Sequence, residues 1–166
     1  MLVLAAPAAA FGRAPLVSSY DAVLGALQDV CMPAAKGADP APLATADGFQ
    51  HIDGAWTLRS DDFSVGVTPP ARGAACVVDV THPYDDTAPA RAIVLTLNDW
   101  ANAHRGWALD RNDRVTRDGV EVTTRSWRGP GGAELAFVTR RHADGTPMQT
   151  DSDVSQLVFS PGGAMR

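Results

Sequence analysis

The chain has 166 residues, with 14 basic and 19 acidic side chains and a formal net charge of −5. Its 45% hydrophobic and 20% charged residues are ordinary values for a globular domain and exclude a disordered acidic tail. No stretch approaches the ~18 consecutive apolar residues of a membrane-spanning helix. The acidic balance disfavours a nucleic-acid-binding protein. We therefore expect one folded domain, without a membrane span and without a nucleic-acid partner.

The first ten residues are typical of the end of a secretory signal peptide. A short apolar run ends in small residues, with Ala8 and Ala10 in the A-x-A pattern of a cleavage site. The alternative is an Ala-rich terminus without a signal. The signal interpretation predicts a single domain over 11–160, a flexible tail over 161–166, and a periplasmic or secreted bacterial protein.

The two cysteines, Cys31 and Cys76, are predicted to form one disulfide bond. An even number of cysteines behind an export signal favours pairing. Cys31 lies on the apolar face of a predicted helix, and Cys76 points inward from a Val-rich strand, so both can reach one core. The alternative is two buried free thiols.

Two helices are predicted first. Ser18 caps the first helix, with Asp21 in a capping-box-like position, and we expect Pro33 to end it. The second helix runs over 40–48, with Asp39 as its cap.

Three strands and a longer helix follow. Alternating apolar residues predict strands over 56–59, 63–68 and 75–81. Thr87 is expected to cap the third helix, which ends before Gly106.

The last third of the chain is predicted to be strands. These cover 107–109, 120–128, 133–141 and 154–159, the second and third forming a hairpin. The pattern predicts an α+β domain: a mostly antiparallel sheet of about six or seven strands, with two or three helices on one face. The alternative is a cone-shaped curved sheet with an internal pocket. Gly48 and Gly106 each follow a predicted helix and precede a set of strands at a similar distance along the chain. This similarity also suggests a duplicated α-β-β-β unit.

The densest polar cluster contains Asp79, His82 and Asp85, between a strand and a helix. A histidine among aspartates can hold a metal or transfer protons. The alternative is a loop histidine beside acids that favour a helix start. The spacing matches no zinc template, so we expect no metal site.

Arginines are concentrated in one part of this acidic chain. Residues 105–141 hold eight arginines against five acidic residues. Strand alternation suggests that Arg125, Trp127 and Arg140 share one face, a candidate binding face because Trp and Arg anchor many interfaces. The alternative is a solvated sheet face on which arginine stems cover the tryptophan.

The sequence lacks the motifs of common enzyme classes. It has neither a G-x-S-x-G elbow nor an H-E-x-x-H pair, and its glycine-rich segment joins two strands. We expect no catalytic residues and no cofactor. The sequence favours a non-catalytic binding or inhibitory module whose partner is an envelope protein or an anionic ligand. The alternatives are a small pocketed enzyme or ligand carrier, with Asp79, His82 and Asp85 as its polar groups, and a structural envelope protein.

Overall fold

A computed structural model of the chain describes residues 18–70, 74–83 and 87–162. The predicted signal segment over 1–10 lies outside the described residues. So do Asp85 and residues 163–166 of the predicted tail.

The first helical region has three consecutive segments: α1 (Ser19–Gly25), a π-helical stretch (Ala26–Cys31) and α2 (Met32–Ala35). Its start is as predicted, because the Asp21 amide donates to Ser18 Oγ at 3.2 Å. The expected end at Pro33 is wrong. The hydrogen-bond pattern changes from π to α at Met32, which places Pro33 in the first turn of α2. A missing N–H group is tolerated in a first turn.

Two further helices follow the predicted plan. Helix α3 (Pro40–Ala46) begins after Asp39, whose Oδ1 accepts from the Ala41 amide at 3.0 Å. Helix α4 (Ala88–Ala103) begins after Thr87 as expected, although the Thr87 side chain makes no capping hydrogen bond.

All strands form one antiparallel sheet, and the α+β class is confirmed. The described strands number eight, slightly more than predicted. They are β1 (Gln50–Ile52), β2 (Ala55–Arg59), β3 (Ser64–Thr68), β4 (Cys76–Pro83), β5 (Ala108–Arg117), β6 (Val120–Arg128), β7 (Glu134–His142) and β8 (Ser152–Ser160). Their order in the sheet is β1-β2-β3-β4-β8-β7-β6-β5.

The sheet order divides the fold into two halves with the same topology. Each half consists of a helical region followed by a four-stranded antiparallel meander. The two halves meet where β4 pairs with β8. The suggested repeat is therefore α-β-β-β-β in topology, with one strand more than the sequence indicated.

Strand β5 is ten residues long, where only 107–109 was predicted. It forms a sheet edge, and all of its residues except Asp113 are exposed. An exposed edge strand has no buried face, so its sequence lacks the apolar alternation by which strands are recognised. Its charged side chains also oppose pairing with another chain.

The two faces of the sheet differ in burial. One face, here called the inner face, packs against the helices and carries the core residues of β3, β4, β7 and β8. The other is called the outer face. The predicted bond between Cys31 and Cys76 is present and joins the π-helical stretch to β4 inside this core, with both residues fully buried.

Candidate functional site

A cavity of about 500 Å³ lies between the N-terminal half of α4 and the inner face of strands β4 to β8. It is an open pocket whose lining mixes polar and apolar groups. The position of the cavity follows from a change from apolar to charged side chains along the inner face. Residues that lie opposite each other on neighbouring strands form rows across the sheet, and side chains in one row share a face.

These rows change from apolar to charged along the strands. The first is entirely apolar: Cys76, Phe159, Leu135 and Trp127. The second ends in an arginine: Val78, Leu157, Phe137 and Arg125. The third is mostly polar: Val80, Ser155, Thr139 and Thr123. In the fourth, His82 faces Asp153 and Arg141 faces Glu121. The cavity covers the polar part of this gradient, where the core does not extend.

Helix α4 supplies an apolar wall. Ala90, Val94 and Leu95 line the cavity from the helix, and Phe137 lines it from the sheet. Leu95 is 54% exposed, so a large apolar side chain remains in water beside the opening. An exposed apolar group at a concave site is a common feature of ligand-binding surfaces.

Arginines dominate the charged part of the lining. Arg91 comes from α4, Arg114 from β5, Arg125 from β6 and Arg141 from β7. The acidic residues of the lining are Glu121 and Asp153, and each already has a partner among these arginines. The described lining therefore has an excess of positive charge.

The floor of the cavity is held by a buried ion pair. Arg141 Nε donates to Asp153 Oδ2 at 2.8 Å, and the Met148 amide donates to the other carboxylate oxygen at 3.3 Å. Asp153 is only 4% exposed, so its charge requires these donors. The pair is better explained as structural support than as a reactive group.

His82 lies on the same floor and is 4% exposed. Its Nδ1 is 3.2 Å from the Pro83 carbonyl oxygen, which can only accept, so in neutral His82 the proton lies on Nδ1. The Ser155 hydroxyl then donates to Nε2 across 3.4 Å. This arrangement places a serine and a histidine together, although the serine hydroxyl is deeply buried.

The polar cluster suggested by the sequence is not assembled among the described residues. His82 points to the inner face, whereas Asp79 lies on the outer face and accepts from Gln156 Nε2 at 2.8 Å. Asp85 lies outside the described residues. The separation follows from strand alternation, since Asp79 and His82 are an odd number of residues apart.

The suggested common face of Arg125, Trp127 and Arg140 is a wrong prediction. Trp127 is 1% exposed and lies in the apolar row of the inner face. Arg140 is near the cavity rim, but it belongs to the opposite face of β7 from Phe137, and its Nη1 donates to Gln156 Oε1 at 2.9 Å. Only Arg125 lines the cavity with its strand's inner-face residues.

The error has a clear physical origin in β6. Its inner face carries Glu121, Thr123 and Arg125 before Trp127, whereas Val120 and Val122 lie on the outer face. Alternation distinguishes the two faces of a strand but does not say which one a helix covers. Sequence reasoning also missed Asp153, Ser155 and Leu95. The only sequence signal for these residues was a break in the local pattern: a polar residue at an inward strand position, or an apolar residue off the apolar face of a helix.

Two carboxyl groups with displaced pKa values lie away from the cavity. Partial burial raises the pKa of Asp47, and the nearby charge of Asp29 raises it further. Hydrogen bonds from the amide and the hydroxyl of Thr146 lower the pKa of Asp144 in the turn after β7. Neither group belongs to the candidate site.

Within the described ranges, no group of three His, Cys, Asp or Glu side chains could hold a metal ion. No helix in the described part of the chain is long and apolar enough to cross a membrane. No protein-family model matches the chain, and comparison with curated proteins finds no similar sequence. The candidate site therefore depends on its own geometry.

Proposed function

We propose that this protein is a non-catalytic binding module of an exported, oxidising compartment, and that the cavity under α4 is its ligand site. The observation that carries the proposal is the open cavity of about 500 Å³, lined by apolar groups and by arginines in excess over acids. Pockets for small molecules typically measure about 300–1,000 Å³ and combine apolar walls with a few polar groups.

Export is supported by the disulfide. The Cys31–Cys76 bond is buried in the core, and structural disulfides persist mainly in oxidising compartments such as the periplasm. The test is the intact mass of full-length chain expressed in a bacterial host and recovered from the periplasm. We expect removal of about ten residues and a mass two hydrogens lower than that of the reduced chain. A full-length, reduced protein confined to the cytosol would contradict export.

Ligand binding is tested with Nile red, an uncharged dye whose fluorescence rises in apolar sites. The variant Thr123→Trp places a large ring in the cavity, since Thr123 lines it from β6. The matched control is Thr124→Trp, one residue along the same strand and on the outer face. We expect wild type and the control to bind the dye and Thr123→Trp to lose most binding. Equal dye binding by the two variants would remove the cavity as the site.

A second candidate is a small pocketed enzyme, favoured by the hydrogen bond between Ser155 and His82. A histidine that accepts from a serine hydroxyl is the basic unit of nucleophilic catalysis. Ser155 is ranked second as a functional group because it is 1% exposed, which leaves its oxygen little access to a substrate. Hydrolysis of p-nitrophenyl butyrate above the buffer rate, abolished in Ser155→Ala but kept in the equally buried Ser126→Ala on the outer face of β6, would reverse this ranking.

A further inference from the structure

We infer that the cavity selects a small amphipathic anion, with an acidic head held by Arg125 and Arg91 and a short apolar body lying along Leu95. The inference rests on the proposed function, because it names the ligand class of the same cavity. It follows from the charges, the apolar wall and the fixed position of one arginine.

The charges of the lining do not cancel. Glu121 lies 3.6 Å from Arg114, and Asp153 is held by Arg141. Among the described residues, Arg91 and Arg125 have no carboxylate partner. Two guanidinium groups on facing walls of one concave site attract an anion and repel a cation, more strongly where water is partly excluded.

Arg125 is already oriented for an acidic group. Its Nε donates to Asn112 Oδ1 at 3.2 Å, which restrains the stem on β6. No other described hydrogen bond occupies its two Nη groups, and a planar guanidinium presents such a pair to a carboxylate in bidentate geometry. The residue is half-buried, and Phe137 lies directly opposite it on β7. An acid bound there would therefore be partly desolvated.

The apolar wall adjoins this charged group. Leu95 is 54% exposed on the cavity side of α4, and the half-buried Val94 continues the same surface, whereas Phe137 is only 1% exposed and adds little to it. An inorganic anion would leave these groups in water, whereas a ligand with several methylene groups would cover them. The site therefore fits an organic acid better than a bare phosphate or sulfate.

The test is competition against bound Nile red by four compounds with the same eight-carbon alkyl chain: nonanoate, octyl sulfate, octan-1-ol and octylammonium. We expect at least one of the two acids to displace the dye at about a tenfold lower concentration than the alcohol, the factor of one charge-assisted hydrogen bond. The amine should be weakest. The stronger of the two acids identifies carboxylate or sulfate as the preferred head. Calorimetric titration of the same compounds gives their affinities without the dye.

Matched variants assign the effect to Arg125. Arg125→Gln should reduce the advantage of the acid over the alcohol from about tenfold to less than threefold. Arg117→Gln removes the same charge from an exposed position at the end of β5, outside the cavity lining, and should leave that advantage intact. Circular dichroism and thermal unfolding of both variants confirm that they fold. An equal reduction in the two variants would mean that only net charge matters, and would overturn the role of Arg125.

The outcomes separate this inference from the proposed function. If Nile red binds in the cavity but the acids show no advantage over the alcohol, the ligand class is wrong and the binding module remains. If neither the dye nor any of the four compounds binds to the wild type, both are refuted.

Discussion

Reduction of the Cys31–Cys76 bond should lower the free energy of unfolding substantially. The bond connects residues 45 positions apart and encloses α2, α3 and the first three strands. In the unfolded chain it restricts the conformations of this whole segment. In the folded chain the core already holds the π-helical stretch and β4 in place. Reduction therefore acts mainly by increasing the conformational entropy of the unfolded state.

The expected magnitude follows from the length of the loop. For a separation of 45 residues, the chain-entropy relation gives about 13 cal/mol/K, or about 4 kcal/mol at 25 °C. Small domains have total stabilities of about 5–15 kcal/mol, so this loss is a large fraction of the whole. The reduced protein should remain folded at room temperature only if its free energy of unfolding is still positive after this loss.

The assay is urea unfolding followed by tryptophan fluorescence, with and without a strong reductant. Oxidised and reduced wild type contain the same side chains, so the comparison isolates the bond. Reduction should lower the midpoint and raise the slope of the free energy against urea, because the reduced unfolded chain is more expanded. The double variant Cys31→Ala, Cys76→Ala should lose somewhat more, since two buried sulfur atoms are also removed.

A loss below about 1 kcal/mol, with an unchanged slope, would refute the entropic reasoning. It would mean that residual structure already restrains the unfolded segment in the absence of the bond. Incomplete reduction is checked by titrating the thiols under denaturing conditions, where the reduced sample should show two.

Three further predictions concern single residues. Asp153→Ala should cost about 3 kcal/mol in urea unfolding, since it breaks a buried ion pair, whereas Asp110→Ala removes an exposed one and should cost under about 1 kcal/mol; equal losses would contradict this contrast. Gly129→Ala should lower the melting temperature, because a Cβ atom there would lie 2.5 Å from a tryptophan ring, while Gly66→Ala meets no atom within 4 Å and should not lower it. The pKa of Asp47 is raised, so the folded state binds the proton of this carboxyl group more tightly than the unfolded state does. The group therefore stabilises the fold fully only below its ordinary pKa of 3.8, and this contribution to the free energy of unfolding is lost as the pH rises. Asp47→Asn should therefore raise the melting temperature relative to wild type at pH 7 but not at pH 3, and a difference independent of pH would exclude the titration.

The local signals of the sequence predicted the element order well. Ser18 and Asp39 start helices as expected because their side chains cap adjacent amide groups, an interaction contained within four residues. The strand over 120–128 was predicted with its observed bounds, and its hairpin partner differs by one residue at each end. Turn residues and alternation act over short distances, so they need no tertiary information.

The candidate site was less predictable. The sequence singled out Arg125, which lines the cavity, but grouped it with Trp127 and Arg140, which the fold places in the core and on the outer face. The sequence did not indicate Asp153, because its partner in the buried ion pair, Arg141, lies on another strand and twelve residues away along the chain. Long-range pairing determines such contacts, and a single sequence does not display it.

The sequence by itself determined the α+β class, the helix starts and the only possible disulfide pairing between Cys31 and Cys76. Each depends on local hydrogen bonding, on residue period or on there being two cysteines. Only the tertiary structure decided which face of β6 is covered and where the cover ends. Helix α4 lies over a sheet face that is apolar at Trp127 and charged at Glu121, so one strand contributes both to the core and to the cavity. Alternation defines the two faces of a strand, but the position of the packed helix determines what each face does.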